Sequence, residues 1–183
     1  MRVISGLYGG RVLKSPADSR TRPTSDRLRE TLFSVLAPRI DDETRFLDLC
    51  AGTGAIGIEA LSRGAAFVTF VDRSKKACAL IEENLDMLEV PEAQTNVLCL
   101  SAENFTGREH TIGWDITFFD PPYDSDYSLV LHDFGSKDDL MRDGGVLVVE
   151  HHTKKQIPDA SNDLRRWRII KQGETSLSFY ERT

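Results

Sequence analysis

From Arg45 onward, segments with the apolar pattern of strands alternate with segments that have the pattern of helices. The strand-like segments, such as 114–119, are short and rich in β-branched and aromatic residues. This alternation predicts a mostly parallel sheet with helices on both faces, which is an α/β, Rossmann-like architecture. The last two strand-like runs, 165–171 and 175–182, flank a glycine turn and predict an antiparallel hairpin at the sheet edge.

The same patterns give approximate limits for each element, because glycine, proline and capping side chains mark most boundaries. The strands that precede the hairpin are predicted at 46–50, 66–71, 96–100, 114–119 and 146–150. The helices are predicted from the glycine-rich turn to about 63, from 74 to 88, for a short stretch after 102, and from about 127 to 141.

The N-terminal segment has a different pattern. Strand-like runs at 1–4 and 11–14 surround several glycines and predict a hairpin with an irregular turn. A helix is predicted from a cap at Thr24 or Ser25 to about Ala37. The core is therefore preceded by a predicted β-hairpin and helix.

Charge is unevenly distributed along the chain. Residues 1–39 carry eight Lys and Arg residues against three Asp and Glu residues, a net charge of +5, whereas the whole chain has −6 and the remainder therefore −11. This asymmetry predicts a basic nucleic-acid-binding extension, residues 1–40, on an acidic core, residues 41–183, although a solvated polar extension has the same composition.

Composition argues against several other classes of protein. No run approaches the roughly 20 consecutive apolar residues of a membrane span, and the N-terminus lacks the apolar run of a signal peptide. Cys50, Cys78 and Cys99 lie far apart in apolar runs, so we expect buried thiols in a reducing compartment. The four histidines have no zinc-binding spacing. We expect a cytoplasmic monomer without a metal.

A glycine-rich turn joins the first predicted core strand to the following helix. Gly52 and Gly54 permit a tight turn and close approach of a ligand to the backbone. With Gly57 they match G-x-G-x-x-G, and Asp72 ends the next strand, where a carboxylate can bind both hydroxyls of a ribose. The predicted cofactor-binding residues of this region are Asp48, Ala51, Gly52, Thr53, Gly54, Asp72 and Arg73, and Asp120, further along the chain, is expected to contact the cofactor as well.

Two cofactors use such an arrangement, a dinucleotide and S-adenosylmethionine. Asp48 lies where a dinucleotide-binding strand usually has an apolar residue, and its carboxylate suits a cationic sulfonium better than a pyrophosphate. A chain of 183 residues also has little room for a separate substrate domain. S-adenosylmethionine is therefore favoured. Ser101 and Ala102, after the third strand, are expected beside the adenine, although Ser101 has an equally good alternative role as a helix N-cap.

The run 114–119 ends in the tetrapeptide Asp120-Pro121-Pro122-Tyr123. Because proline fixes φ and lacks an N–H, the chain leaves the sheet in one stiff conformation, at the end where α/β folds bind ligands. Asp120 and the carbonyl of Pro121 can accept the two protons of a conjugated amino group, and Tyr123 can stack on the base. The tetrapeptide predicts methyl transfer to a planar amino nitrogen, although Asp-Pro-Pro also occurs in ordinary loops.

Together these segments resemble the bacterial methyltransferases that modify guanine N2 in the 16S RNA of the small ribosomal subunit. The resemblance runs nearly end to end, and the arginine-rich block 22–33 makes it specific. The matching blocks are 2–6, 10–13, 22–33, 48–54, 59–65, 120–123, 173–175 and 179–180. The resemblance implies a seven-stranded, class I S-adenosylmethionine-dependent methyltransferase fold. It also implies a guanine presented on a largely assembled subunit. Ser101 departs from the Asp of many amino methyltransferases.

In the mechanism expected from this resemblance, the guanine leaves its stack and packs on Tyr123, while Asp120 and Pro121 orient its amino group. The residues expected to contact RNA phosphates are Arg11, Lys14, Arg20, Arg22 and Arg27, with a weaker second patch at Lys154, Lys155, Arg165, Arg166 and Arg168. Three alternatives stay open: methylation of adenine N6 or a glutamine amide, a dinucleotide-binding oxidoreductase, and a ribosome-assembly factor without activity.

Overall fold

The structure is a computed structural model that describes residues 1–16 and 25–183. Its described strands form one eight-stranded sheet. The strands are β1 (Arg45–Leu49), β2 (Phe67–Asp72), β3 (Thr95–Cys99), β4 (Trp114–Phe119), β5 (Met141–His152), β6 (Ala160–Ser161), β7 (Leu164–Gln172) and β8 (Thr175–Arg182). They are arranged in the order β3-β2-β1-β4-β5-β8-β7-β6. The first five strands pair in parallel, and β8, β7 and β6 continue the sheet antiparallel.

Helices cover both faces of this sheet. They are α1 (Asp26–Leu36), α2 (Ala55–Ser62), α3 (Lys75–Met87), α4 (Ala102–Thr106) and α5 (Ser128–Ser136), with short 3-10 turns at Ala37–Arg39 and Glu92–Gln94. Apolar side chains of α1, α2 and α3 pack in one buried cluster with one sheet face, and those of α4 and α5 pack in a second cluster with the other. The predicted α/β architecture with a C-terminal antiparallel hairpin is confirmed.

Side-chain caps fix the start of two helices as predicted. The hydroxyl of Ser25 accepts a hydrogen bond from the amide of Leu28, and that of Ser74 accepts one from Ala77. Each satisfies an amide that the first helical turn leaves without an internal partner. The predicted capping sites were therefore correct.

Four features differ from the prediction, the first being that α5 ends at Ser136 and not at about 141. The sheet gains the two-residue strand β6, so it has eight strands and not seven. Strand β5 begins at Met141, because this residue pairs with Trp114 before an irregularity that Gly144 permits with a φ of +74°. The N-terminal hairpin contains a single isolated bridge, between Arg2 and Val12, within the described residues. Its glycines bend the chain too sharply for a longer ladder.

Polar side chains of the core hold the backbone of the first sixteen residues. The buried carboxylate of Glu59 accepts hydrogen bonds from the amides of Ile4, at 2.7 Å, and Ser5, at 3.0 Å. Asn84, on α3, accepts from the amide of Lys14 at 2.8 Å. The buried guanidinium of Arg29 lies 3.8 Å from Glu59 and so adds a charge contact to the same attachment. The division of the chain at residue 40 stays a prediction.

The cysteine prediction was partly wrong. Cys78 is buried and Cys50 is half-buried, but Cys99 is exposed, since β3 lies at the edge of the sheet. All three cysteines are free thiols. Within the described residues, no helix has the length and apolar character to cross a membrane. The same residues contain no group of three or more His, Cys, Asp or Glu side chains placed to hold a metal ion.

Candidate active site

The glycine-rich turn and the Asp-Pro-Pro-Tyr corner lie next to each other. They follow β1 and β4, which are adjacent and parallel, with Leu49 in register with Phe119. The amide of Asp120 donates a hydrogen bond of 3.2 Å to the carbonyl of Leu49, so the two loops leave the sheet from neighbouring positions. The ends of parallel strands meet at the same edge, which explains why residues about seventy positions apart in the chain share one site.

The first two glycines of the turn have a backbone that requires glycine. Gly52 and Gly54 have φ values of +56° and +76°. A Cβ added at Gly52 would meet nothing within 4 Å, so this position leaves open space that a ligand can fill. Gly57 has another reason to be glycine, since a Cβ there would lie 2.3 Å from a ring carbon of Phe70. The third glycine therefore serves helix–sheet packing and not the ligand.

Asp72 is connected to the glycine turn. One carboxylate oxygen accepts from the amide of Gly52 at 2.9 Å, and the other accepts from that of Ser74 at 2.8 Å. Asp72 thus fixes the turn and holds the amide of Ser74, the N-cap of α3, and its binding to a ribose stays a prediction. Arg73 is exposed beside it.

Asp48 lies beneath the turn. Its side chain is 2% exposed, and it accepts a hydrogen bond of 2.8 Å from the amide of Gly57. Burial raises the pKa of Asp48 to about 8, because the charged form loses its water, and Asp72 acts in the same direction. A nearby cation would lower this pKa again.

Asp120 belongs to the same acidic group. Desolvation, followed by repulsion from Glu150 and Asp48, raises the pKa of Asp120 well above its usual range. Burial and the neighbouring acids Asp72 and Asp120 likewise raise the pKa of the Cys50 thiol. A site that crowds carboxyl groups in this way favours a positively charged ligand.

Tyr123 is fixed at its far end but keeps an exposed ring. Its hydroxyl lies 3.3 Å from that of Thr175, and the ring packs edge-on against His152 with 5.7 Å between the centroids. The side chain is 42% exposed, which leaves surface on which a base can stack. The carbonyl of Pro122 accepts from both the amide and the hydroxyl of Ser125, so the chain turns back directly after the tetrapeptide.

The structure places Lys155 differently from the surface position that its charge predicted. Its ammonium donates to the carbonyls of Tyr123, at 2.9 Å, and Ser125, at 2.5 Å. It also lies 3.9 Å from the centre of the Tyr127 ring. This contact could not be predicted from local patterns, because the residues involved are about thirty positions apart.

The predicted adenine-binding residues follow β3, the strand next to β2. Ser101 is the N-cap of α4 and accepts from the amide of Asn104 at 3.2 Å, which realises its alternative role. Ala102 is buried in the first turn of α4. Adenine recognition at these two residues stays a prediction.

Three of the five predicted RNA-binding residues are described, and all three are exposed. Arg11 donates to the carbonyl of Met87, and Lys14 forms a 3.0 Å ion pair with Glu83. Arg27 lies on the exposed side of α1. The other two, Arg20 and Arg22, lie outside the described residues. RNA binding by this group stays a prediction.

The strand order, the open glycine turn and the acid near the end of β1 define a class I S-adenosylmethionine-dependent methyltransferase fold. Comparison with known proteins agrees: the chain belongs to the family described as "Conserved hypothetical protein 95", whose model matches residues 1–181. It is similar to a solved Escherichia coli structure described as "Putative methyltransferase yhhF", with a TM-score of 0.88 and 30% identity over 100% of this chain and 97% of that one.

Several relatives match over nearly the whole chain, including the following two. "Putative rRNA methyltransferase YlbH" of Bacillus subtilis is 36% identical over 100% of this chain and 99% of its own length. "Ribosomal RNA small subunit methyltransferase D" of Escherichia coli is 32% identical over 100% of this chain and 90% of its own length. The resemblance described from the sequence is therefore confirmed.

Two solved structures with the same fold, at 14% and 19% identity, are described as S-adenosylmethionine-dependent methyltransferases, so the fit of this chain to S-adenosylmethionine can be tested. This chain's residues fit it in two respects. The space above Gly52 is open, and the carboxyl groups of Asp48 and Asp120 carry raised pKa values that a cationic sulfonium would relieve. Asp72 is hydrogen-bonded to the turn 50–54, and binding of the rest of the molecule by these residues stays a prediction.

Proposed function

We propose that this protein transfers a methyl group from S-adenosylmethionine to the exocyclic N2 of a guanine in 16S ribosomal RNA, on an assembled or nearly assembled small subunit. The observation that carries the proposal is the hydrogen-bonded contact between Asp120 and Leu49, which brings the Asp-Pro-Pro-Tyr corner beside the glycine turn. The names of the full-length relatives support ribosomal RNA as the substrate.

The bound cofactor supplies an electrophilic methyl group on a sulfonium. The chain's own contribution is to orient the acceptor nitrogen, whose lone pair is otherwise conjugated with the ring. Asp120 and the carbonyl of Pro121 accept its two protons, which favours a pyramidal, nucleophilic nitrogen. Most of the acceleration then comes from alignment and from fixed dipoles that replace water.

The carboxylate of Asp120 supports guanine as the base. An ionised carboxylate offers two acceptors, and guanine presents two neighbouring donors, the N1–H and the N2 amino group. Adenine presents a donor beside an acceptor, which matches an amide or a protonated acid. The sulfonium cation favours the ionised form of Asp120, because opposite charges lower the pKa of a carboxyl group.

Tyr123 supports a base that has left its stack. An amino nitrogen within a helix is out of reach, so the nucleotide must turn outward, at a cost of about a few kcal/mol. Stacking of the base on the exposed ring of Tyr123 offsets part of this cost, at about 1–3 kcal/mol per base. A base in a loop of the small subunit, already partly unstacked, is the substrate that this site suits.

Basic residues of the N-terminal extension are proposed to hold the RNA backbone. Arg11, Lys14 and Arg27 are exposed, and phosphate contacts of this kind set the register of an RNA without reading its sequence. Each phosphate neutralised adds to the salt dependence of binding. Affinity for the subunit should therefore fall steeply with ionic strength.

The test is product analysis with radiolabelled S-adenosylmethionine. The substrates are free 16S RNA and small subunits, both from a bacterium whose own family member has been deleted. We expect label in N2-methylguanosine after nucleoside digestion, and faster labelling of subunits than of free RNA. Label in N6-methyladenosine or in protein would overturn the proposed substrate, and faster labelling of free RNA would overturn the proposed timing.

A further inference from the structure

The loop after β4 comprises residues 120–127. Lys155 is the only residue in the described part of the chain whose charged group contacts this loop at three positions. Its ammonium contacts the carbonyls of Tyr123 and Ser125 and the ring of Tyr127. The backbone of Lys155 is fixed in turn, since its amide donates to the carbonyl of His152 at 2.8 Å. The ammonium is thus presented to the loop from the end of a core strand.

We propose that Lys155 is a positioning residue that sets the height and orientation of the Tyr123 ring above the target base. This inference rests on the proposed function, because it assigns the ring the stacking role described above. Hydrogen bonds from an ammonium are about twice as strong as those between neutral groups. Two of them hold the carbonyl groups at positions 123 and 125 in one arrangement.

The other contacts of Tyr123 show why the hydrogen bonds from Lys155 to the loop backbone, here called the Lys155 clamp, matter. The hydroxyl of Thr175 and the edge of His152 hold the side chain, but neither contacts the backbone at position 123. Lys155 supplies that backbone contact. Without it, the two prolines still fix the entry to the loop, whereas the segment after Tyr123 can move.

Substitution by methionine tests this role with little change in packing. Lys155→Met keeps an unbranched side chain as far as Cε, but it removes the ammonium and with it the contacts with the two carbonyls and the Tyr127 ring. Lys137→Met is the matched control, because the Lys137 ammonium donates to the carbonyl of Thr106 at 2.6 Å, in a part of the molecule remote from this loop. Both changes remove one charge, and they remove two charged hydrogen bonds to the backbone at Lys155 and one at Lys137.

The kinetic measurement uses saturating small subunits and S-adenosylmethionine. We expect Lys155→Met to lower kcat by about 10- to 100-fold, the effect of a misplaced reactive group, and Lys137→Met to leave it within about 2-fold. The competing role for Lys155 is a phosphate contact in the second basic patch. That role would raise KM for the subunit and reduce its salt dependence while kcat stays unchanged, and this result would overturn the proposal.

Coupling between Lys155 and Tyr123 gives a second criterion. If Lys155 acts through the ring, its substitution should matter little once the ring is gone. We expect Lys155→Met to change kcat by less than about 3-fold in a Tyr123→Ala background, a strongly non-additive pair. Equal losses in both backgrounds would show that Lys155 acts by another route.

A readout without activity separates this inference from the proposed function. Hydrogen exchange measured by mass spectrometry should show faster exchange in 122–126 for Lys155→Met and unchanged exchange there for Lys137→Met. If the wild type methylates no RNA but this exchange pattern appears, the clamp stands and the proposed function fails. Unchanged exchange in both variants would overturn the clamp, whatever the activity.

Discussion

Asp48→Asn tests the electrostatic account of the cofactor site. The amide keeps an oxygen that can accept from Gly57 but cannot ionise. The pKa of this carboxyl is about 8 in the fold and 3.8 ordinarily. At about 1.36 kcal/mol per pH unit, ionising it inside the protein costs up to about 6 kcal/mol at high pH. The new amide N–H groups also need partners, so we expect a net stabilisation of about 2–4 kcal/mol.

The sign of the pH dependence follows from proton uptake. Between about pH 4 and pH 8 the folded carboxyl of Asp48 holds a proton that the unfolded chain has lost. This group therefore makes the wild type less stable as pH rises through that window, and the effect levels off above pH 8. Asp48→Asn lacks this contribution, so its advantage over the wild type should grow from pH 5 to pH 8.

Urea unfolding at pH 5, 6, 7, 8 and 9 measures this difference. Asp41→Asn is the control, because a hydrogen bond from Thr44 lowers the pKa of this exposed carboxyl, which is therefore ionised throughout the range in both states. The difference in unfolding free energy between Asp41→Asn and the wild type should not depend on pH. If the difference in unfolding free energy between Asp48→Asn and the wild type is also independent of pH, Asp48 does not have the raised pKa on which this prediction depends. Calorimetry should also show that Asp48→Asn weakens binding of S-adenosylmethionine more than that of neutral S-adenosylhomocysteine.

Three further substitutions test the open space at the glycine turn, the packing of α2 against the sheet, and the attachment of the N-terminal residues to the core. Gly52→Val should cost only about 1–2 kcal/mol of stability as backbone strain, yet weaken cofactor binding at least about 10-fold in calorimetry. Gly57→Ala should lower the unfolding free energy in urea by about 1–3 kcal/mol, because its Cβ meets the Phe70 ring. Glu59→Gln should lower the thermal midpoint, with a loss of about 1–3 kcal/mol, since its carboxylate no longer accepts from the amides of Ile4 and Ser5 and only the Asp26 carboxylate remains at Arg29. An unchanged midpoint would mean that this attachment contributes little.

Local chemistry explains why much of the fold could be predicted. Ser25 and Ser74 immediately precede their helices and cap them. The alternation of strand and helix patterns from β1 to β5 can also be recognised from residues that are neighbours in the sequence. The exposure of Cys99 could not be predicted, because it depends on β3 being an edge strand. The apolar residues around it have the same pattern in a central strand and at an edge.

For the candidate site, sequence motifs pointed to individual residues, whose roles stay predictions, but not to the contacts between them. Gly52 and Asp120 follow from motif chemistry, whereas their adjacency depends on β1 and β4 being neighbours, which the sheet order decides. The inward position of Lys155 depends on the return of the chain from β5 toward the loop after β4. Charge alone suggested a surface role, since a lysine side chain has no pattern that marks a backbone contact.

The most direct test of the central claim compares methyl transfer with cofactor binding in Asp120→Asn. We expect the turnover number of Asp120→Asn on small subunits to fall by at least about 10³-fold, because the amide presents one acceptor where guanine needs two. Binding of S-adenosylhomocysteine should stay within about 3-fold of the wild type. Near-normal turnover with this variant would contradict the claim that Asp120 orients the acceptor nitrogen.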